Sequence, residues 1–399
     1  MQAKTKFKKT PIGEIPEDWR VVRLGEVIIL KNGARPITME NGRYPVYGAN
    51  GIMGYTSKYL IDQDFTIIIG RVGASGEIHL ASGKIWISDN AIYSEKYDVK
   101  KVYPPYLLYL LKHKRLSKFA SKTTHPIITQ TFLKSFKIPL PPLSEQKKIA
   151  EILRTVDEAI GKTDLAIEKT ERLKRGLMQR LLTKGIKHER FKKTEFGEIP
   201  EEWRVVKLKN IAKEFISGGT PFTKNPEYWN GNIPWIRSVH LTNYYIDESS
   251  IEQYITEKGL KNSSAKIVPK RNVIVATRVG IGKSAVNLID VAINQDLTGI
   301  ILDKSQVDPF FLVWYLQMPK ILRLFESFSR GTTIKGIPQK HLRELYIPLP
   351  PLPEQKKITE ILITVDKKLE FLKKRKEKLE RIKKGLMKDL LTGRRRVGI

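Results

Sequence analysis

The chain has 399 residues and carries 72 lysines and arginines against 42 aspartates and glutamates, a formal net charge of +30. That length suffices for two or three domains with proper cores, and a surplus of that size implies an anionic partner such as nucleic acid or a membrane surface. Cysteine is absent, which excludes disulfides and thiolate metal sites and fits a cytoplasmic protein; no apolar run approaches the ~18 residues of a membrane span, and the basic start MQAKTKFKKT has no apolar stretch behind it to make a secretory signal.

In chain order, the first element is a polar Gly-Pro segment, FKKTPIGEIPEDWRVVRL, ending near Trp19. Glycine-rich loops follow: one holds Arg35, and YPVYGANGIMGY holds Tyr47 and Asn50, with Lys58 just beyond. Phe65–Ile69 is rich in β-branched residues and reads as a strand, closed by a turn at Arg71-Val-Gly. Proline at a first turn opens a short helix over 105–111. The loop Lys122, Thr123 and Thr124 leads to the Pro-Pro junction IPLPPLSEQKKI. A long helix then begins. Ile149, Leu153, Val156, Ile160 and Ile167 step by four and three, and Leu177 and Leu181 resume the stripe, the spacing of a coiled-coil seam. Gly185 stands where a left-handed C-cap wants glycine.

The chain then repeats itself. FKKTEFGEIPEEWRVVKL returns at an offset of 184 positions and IPLPPLPEQKKI at an offset of 209, so the second copy holds 25 extra residues between its ends. Its loops carry Thr220, Lys224, Asn225, Arg237 and Ser238, with Trp229 and Trp235 read as core. The strand 272–276 runs into Arg278 and Lys283, a helix is expected over 309–316, and Arg330, Thr332, Thr333 and Lys335 match the earlier threonine loop. A second seam follows: Ile358, Leu362, Val365, Leu369, Leu372, Leu379, Leu386 and Leu390, ending at Gly393.

The reading is thus of two α/β (α+β) domains, 1–143 and 185–352. Two long helices, 144–184 and 353–392, join them, and a basic tail spans 393–399. Each helix is expected to be roughly 37 residues and ~55 Å long. Their narrow apolar stripes are best buried against each other, antiparallel, giving a pseudo-two-fold molecule. The helices and tail hold +3, +6 and +3 of the charge, which leaves +18 chiefly on the domains. The domains are therefore the expected nucleic-acid readers and the helices a spacer.

Several motifs carry no chemistry. Thr277 stands where a phosphate loop needs its first glycine, and no amphipathic helix follows Ser284. Tyr103 precedes Pro104-Pro105-Tyr106 where an amino-methyltransferase loop needs a side-chain carbonyl. The six histidines show no paired metal spacing. No catalytic residue and no metal site is expected. Arg, Lys, Asn and Thr in the loops are suited to base edges and phosphates. The candidate DNA contacts are therefore Arg35, Tyr47, Asn50, Lys58, Arg71, Lys122, Thr123, Thr124, Thr220, Lys224, Asn225, Arg237, Ser238, Arg278, Lys283, Arg330, Thr332, Thr333 and Lys335. Met178, Leu182, Met387 and Leu391 lie off the seam; both docking of partner subunits and packing on the chain's own domains remain open for them.

Taken together, GEIPEDW/GEIPEEW, SGGTPFTKNPEYWNGNIPWIRS, YPVYGANGIMGY and the PLPPLSEQKK/PLPPLPEQKK junctions resemble the specificity subunits of type I restriction–modification enzymes along essentially the whole chain. The resemblance implies a non-catalytic subunit. Each domain would be a target-recognition domain reading one half of a split double-stranded DNA site. The coiled coil would set the gap and dock two modification (methyltransferase) subunits, which restriction (translocase/nuclease) subunits join. It implies no cofactor on this chain, with S-adenosylmethionine, ATP and Mg on those partners. Because the two domains differ, the site would be asymmetric. A free-standing two-site DNA-binding regulator is the alternative.

Overall fold

Each FKKT…GEIP segment folds into a short hairpin. Phe7–Thr10 pairs with Gly13–Pro16, and Phe191–Thr194 pairs with Gly197–Pro200, in the same register. The next strand reaches far along the chain: Arg20–Arg23 pairs with Lys137–Leu140, and Arg204–Lys207 with Tyr346–Leu349. The computed structural model describes residues 6–121, 126–195, 197–329 and 336–397. They form two units. The first contains Met1–Leu165 and Lys373–Ile399, the second Ala166–Leu372.

In the first unit a six-stranded mixed sheet is built around Ile61–Gly70, whose last five residues are buried. The short helix Pro104–Lys114 packs on it through Tyr106, Leu107, Leu110 and Leu111. The second unit divides the same task between a five-stranded and a four-stranded sheet. Its short helix, Pro309–Leu316, is capped by Asp308, whose carboxylate accepts from Phe311 N at 2.9 Å. It is buried nearly all round. The segment 229–268, which carries most of the added length of this copy, supplies three of the four strands of the smaller sheet.

The long helices run Leu143–Lys184, 42 residues, and Leu352–Leu390, 39 residues. Their ends fall within two residues of the expected 144–184 and 353–392, and each begins directly after its Pro-Pro pair, with Pro353 tolerated in the first turn of the second. Each helix contributes one half to each unit. In the first unit Asp157 pairs with Lys383 at 2.6 Å and Asp164 with Lys376 at 2.7 Å. A heptad forward on one helix is a heptad back on the other, so the halves are antiparallel. Ile149 and Leu153 are buried there, Val156, Ile160, Leu379 and Leu386 half-buried. In the second unit Lys174 pairs with Asp366. Leu181, Ile358, Leu362, Leu369 and Leu372 are buried, Ile167, Leu177 and Val365 half-buried.

The gaps in the apolar stripe of the first helix are filled by Thr163 and Thr170, 3% and 6% exposed. Their hydroxyls donate to Ala159 O and Ala166 O at 2.7 Å, so neither brings an unsatisfied polar atom into the seam. Burying a leucine contributes ~1.5–3 kcal/mol. A half-exposed ion pair contributes ~0–1. The apolar seam therefore holds the helices, and the ion pairs fix their register.

One side chain set closes each unit. Trp19 and Trp203 are both fully buried. Trp19 Nε1 donates to Glu145 Oε2 at 2.9 Å, and Trp203 Nε1 to Glu354 Oε2 at 3.0 Å. Burial of an indole of ~200 Å² is worth ~5 kcal/mol in transfer free energy. The next residue, Gln146 or Gln355, is also buried and takes three backbone partners. Gln146 accepts from Tyr103 N and donates to Lys101 O and Pro141 O. Gln355 does the same with Asp308 N, Gln306 O and Pro350 O. The Glu-Gln dipeptide thus fastens the start of each long helix to its own domain.

The end of the other long helix returns to the same spot. Gly393 (φ 72°) lies against Pro16 and Trp19, and Gly185 (φ 65°) against Trp203 and Glu354. Both need glycine for the left-handed cap and for the close approach. Three residues on, Arg396 Nε donates to Glu145 Oε1 at 2.7 Å, and His188 Nε2 lies 2.8 Å from Glu354 Oε1. Arg396 also holds Asp18, at 2.9 and 2.7 Å. The expected basic tail is therefore partly neutralised. Leu182 and Leu391 are buried in the two domain cores, with Met178 and Met387 packed against them. Of the two options left open for these four residues, packing on the chain's own domains is the one seen: the two leucines are buried and the two methionines half-buried at the helix ends.

Candidate nucleic-acid interface

In each unit three loops converge on one tight turn. In the first the turn is Ser88–Asn90. Arg71 N donates to Asn90 O at 2.8 Å, Ser88 N to Tyr47 O at 2.8 Å, and Ala34 N to Ile87 O at 2.9 Å. In the second the turn is Asn294–Asp296. Thr277 N donates to Asp296 O at 2.8 Å, Asn294 N to Ile236 O at 3.1 Å, and Gly219 N to Ile293 O at 3.0 Å. Gly33 and Gly218 sit so close to the carbonyls behind this turn that neither leaves room for a Cβ. An indole supports the next carbonyl in each case: Trp86 Nε1 donates to Ala34 O at 2.9 Å and Trp235 Nε1 to Gly219 O at 3.1 Å. The two tryptophans come from different strands, so the same scaffold is braced in two ways.

Arg-Val-Gly occurs at 71–73 and again at 278–280, and these bonds fix how the two copies match in space. Gly76 N reaches Gly70 O, and Gly282 N reaches Ala276 O. Arg71 is therefore the counterpart of Thr277, and Arg278 the counterpart of Val72. The repeated Arg-Val-Gly is one residue out of step in space. Arg278 is exposed, as a strand-end turn allows. Arg71 is half-buried and donates to Asp89 O at 3.3 Å. After Ser284 the chain is a strand, Ser284–Asn287, so no helix follows this loop.

The hub gathers Arg35, Asn50 and Arg71 in the first unit, since His79 Nε2 lies 3.1 Å from Ala49 O and ties the Asn50 turn to the sheet. In the second it gathers Thr220, Arg237, Arg278 and Lys283. Thr220 Oγ1 lies 2.5 Å from Gln295 Oε1. Other candidates lie away from the hub or turn their side chains inward. Lys58 is exposed beyond the far end of the strand Gly51–Thr56. Tyr47 lends the hub its carbonyl, while its side chain is half-buried against the Ile68 cluster. Ser238 is 4% exposed and heads a short turn, so it faces inward. Asn225 caps a turn by accepting from Glu227 N, with Lys224 exposed beside it. Trp229 and Trp235 pack edge to face at 5.1 Å, in a core as expected. Lys122, Thr123, Thr124, Arg330, Thr332, Thr333 and Lys335 lie outside the described residues.

Asp89 and Asn90, both exposed, and Gln295, also exposed, were not among the sequence candidates. Their signal was present as Ile87-Ser-Asp-Asn and Ile293-Asn-Gln-Asp, polar triplets after a strand in both copies. Around one backbone arrangement the first unit thus presents Arg, Asn, Arg, Asp and Asn, the second Thr, Arg, Arg, Lys and Gln. Those are the residue types that read donor and acceptor patterns on base edges.

The family model for the type I restriction modification DNA specificity domain matches residues 16–169 and 200–381. The chain belongs to that family. A chain of Methanocaldococcus jannaschii, provisionally named as the MjaX type I restriction enzyme specificity subunit, is 34% identical, over 98% of this chain and 97% of its own length. The MjaVIII specificity subunit of the same organism is 32% identical, over 98% and 96%. The crystal structure of a type I restriction–modification S subunit from M. genitalium has the same fold, with a TM-score of 0.65 at 18% identity over 97% of this chain and 99% of that one. The two stretches matched by the specificity-domain model each hold one of the two hubs. No helix among the described residues is long and apolar enough to cross a membrane.

Proposed function

We propose that this chain is the DNA-recognition subunit of a type I restriction–modification complex, with one half of a bipartite duplex site read by each hub. The observation that carries this reading is the pair of hubs: identical backbone hydrogen bonding around Ser88–Asn90 and Asn294–Asp296, with different side chains presented. One scaffold with two vocabularies suits a site whose halves differ, so the target is asymmetric. The long helices set the gap. Half-sites one helical turn apart lie ~34 Å centre to centre, within the ~60 Å length of helices of this size.

The chain contributes no catalytic group. Two methyltransferase subunits carry S-adenosylmethionine, and restriction subunits carry ATP and Mg; the complex acts in the cytoplasm. The net charge of +30 supplies the phosphate attraction. Exchange of residues 14–143 for the corresponding part of another specificity subunit tests the reading. Sequencing of methylated DNA should show one half-site changed and the other kept. A change in both halves, or a palindromic site in the unaltered protein, would contradict it.

A further inference from the structure

Beside the Arg71 turn of the first hub lies a cavity of about 610 Å³ whose lining is mostly cationic, with His113, Ile160 and Met387 among the rest. Lys112, Lys114, Arg115 and Lys118 come from the end of the helix Pro104–Lys114 and the turn after it. Lys383, Lys384 and Lys388 come from the second long helix. Against these seven stand only Asp157 and Glu380, and Asp157 is already paired with Lys383. The α-helical end here points carbonyls, not amides, at the groove, so a helix dipole does not account for it.

The cations crowd one another. Partial desolvation, then the neighbouring Lys383, holds Lys112 below the ordinary lysine range; desolvation does the same to Lys114. The groove also joins the hub directly. Gly76, in the Arg71 turn, has no room for a Cβ because the backbone of Leu116 and Ser117 lies against it. The Arg71 turn therefore abuts the groove, with Glu77 the one carboxylate of that turn near Lys112.

The second unit has the matching groove, and its chemistry differs. Lys174 and Asp366 replace Lys383 and Asp157, and Gln317 stands in the place of Lys112. Aromatic Tyr244 and Trp314 line its volume of about 400 Å³. Lys174 Nζ sits 4.9 Å from the Trp314 ring centroid. Only one of two otherwise equivalent grooves is polycationic.

We infer that the Lys112–Lys118/Lys383–Lys388 groove binds the phosphate backbone of duplex DNA where the strand leaves the first hub along the second long helix. The contact is blind to sequence, and it exists on one side only. This rests on the proposed function. Seven cations from two elements, abutting the loop that carries Arg71, fit a continuous polyphosphate better than a discrete acidic peptide.

The test uses the full chain with Lys118, Lys384 and Lys388 all changed to Gln, residues that are exposed and outside the hub. Binding to duplex DNA long enough to span both units is measured across a salt series. Each phosphate contact contributes ~0.9 to the slope of log K against log[salt], so three lost contacts lower the slope by about 2.7 and weaken binding roughly 100-fold at physiological salt. The loss should be the same on cognate and non-cognate duplex. The triple Lys→Arg variant should keep the slope, which separates charge from folding. Equal slopes for the Gln variant and the unaltered chain would overturn the groove and leave the hubs standing. Lost methyltransferase co-purification without DNA, at unchanged slope, would assign the groove to an acidic protein segment instead. An unaltered chain with no salt-dependent DNA binding would sink both readings.

Discussion

Arg396 is the most exposed test of how the chain closes on itself. It stands near the very end of the sequence, yet its guanidinium bridges Glu145 and Asp18. The Glu145 side chain is 1% exposed, Arg396 27% and Asp18 50%. Arg396→Ala leaves Glu145 with Trp19 Nε1 as its single remaining side-chain donor among the described residues. Removing one partner of a buried pair costs ~3–5 kcal/mol. Water already reaches part of Arg396, so the lower end, ~3 kcal/mol, applies. For a unit of this size each kcal/mol moves the midpoint by ~2–4 °C, so its melting temperature should fall by roughly 6–12 °C. Calorimetry of the full chain, with amide exchange to tell the units apart, measures this. His188→Ala is the internal comparison. Glu354 keeps both Trp203 Nε1 and Ile186 N at 2.8 Å, so a loss of ~1 kcal/mol is expected there. Arg396→Lys should recover about half of the deficit, since the charge returns without the two-armed fork. Equal shifts for Arg396→Ala and His188→Ala, or none for the first, would refute the reasoning.

Gln355→Ala strips partners from Asp308 N, Gln306 O and Pro350 O at once; a loss of ~3 kcal/mol in urea unfolding is expected, and one below ~1 would mean that these groups find water. Glu344 bridges Lys207 and Lys209, and these ammonium groups pull its carboxyl from an ordinary 4.5 to about 2. A depressed folded value stabilises above the ordinary value and is lost as pH falls through the folded one. The stability gap between the unaltered chain and Glu344→Gln should therefore be full at pH 7, narrow below pH 4.5 and close near pH 2. A gap that stays constant over that range would show that the two lysines do not hold the carboxylate.

Much of the frame was legible because it is encoded locally. Heptad spacing places Ile358, Leu362, Leu369 and Leu372 in the seam, and all four are buried. Glycine after the last turn marks Gly185 and Gly393, both with positive φ. The hubs were only partly legible. Arg35, Asn50, Thr220, Arg237 and Arg278 stood out as polar loop residues. Asp89, Asn90 and Gln295 did not, because a short turn between buried strands has no periodic signal. Tyr47 and Ser238 show what spacing along the chain does not record: packing half-buries the first against a core and leaves the second 4% exposed.

Composition, charge, the repeated ends and the heptads thus determine by themselves a duplicated, basic, two-reader chain with two long helices, since each of those signals depends on neighbours a few residues away. Tertiary structure alone decided which loops meet at Ser88–Asn90 and Asn294–Asp296. It also decided that Arg71 matches Thr277 rather than Arg278, and that Arg396 completes a site built by Trp19 and Glu145. Those choices rest on hydrogen bonds and burial between residues tens to hundreds of positions apart. Their energy comes from leaving no buried carbonyl, indole or carboxylate without a partner, and no spacing along the chain records it.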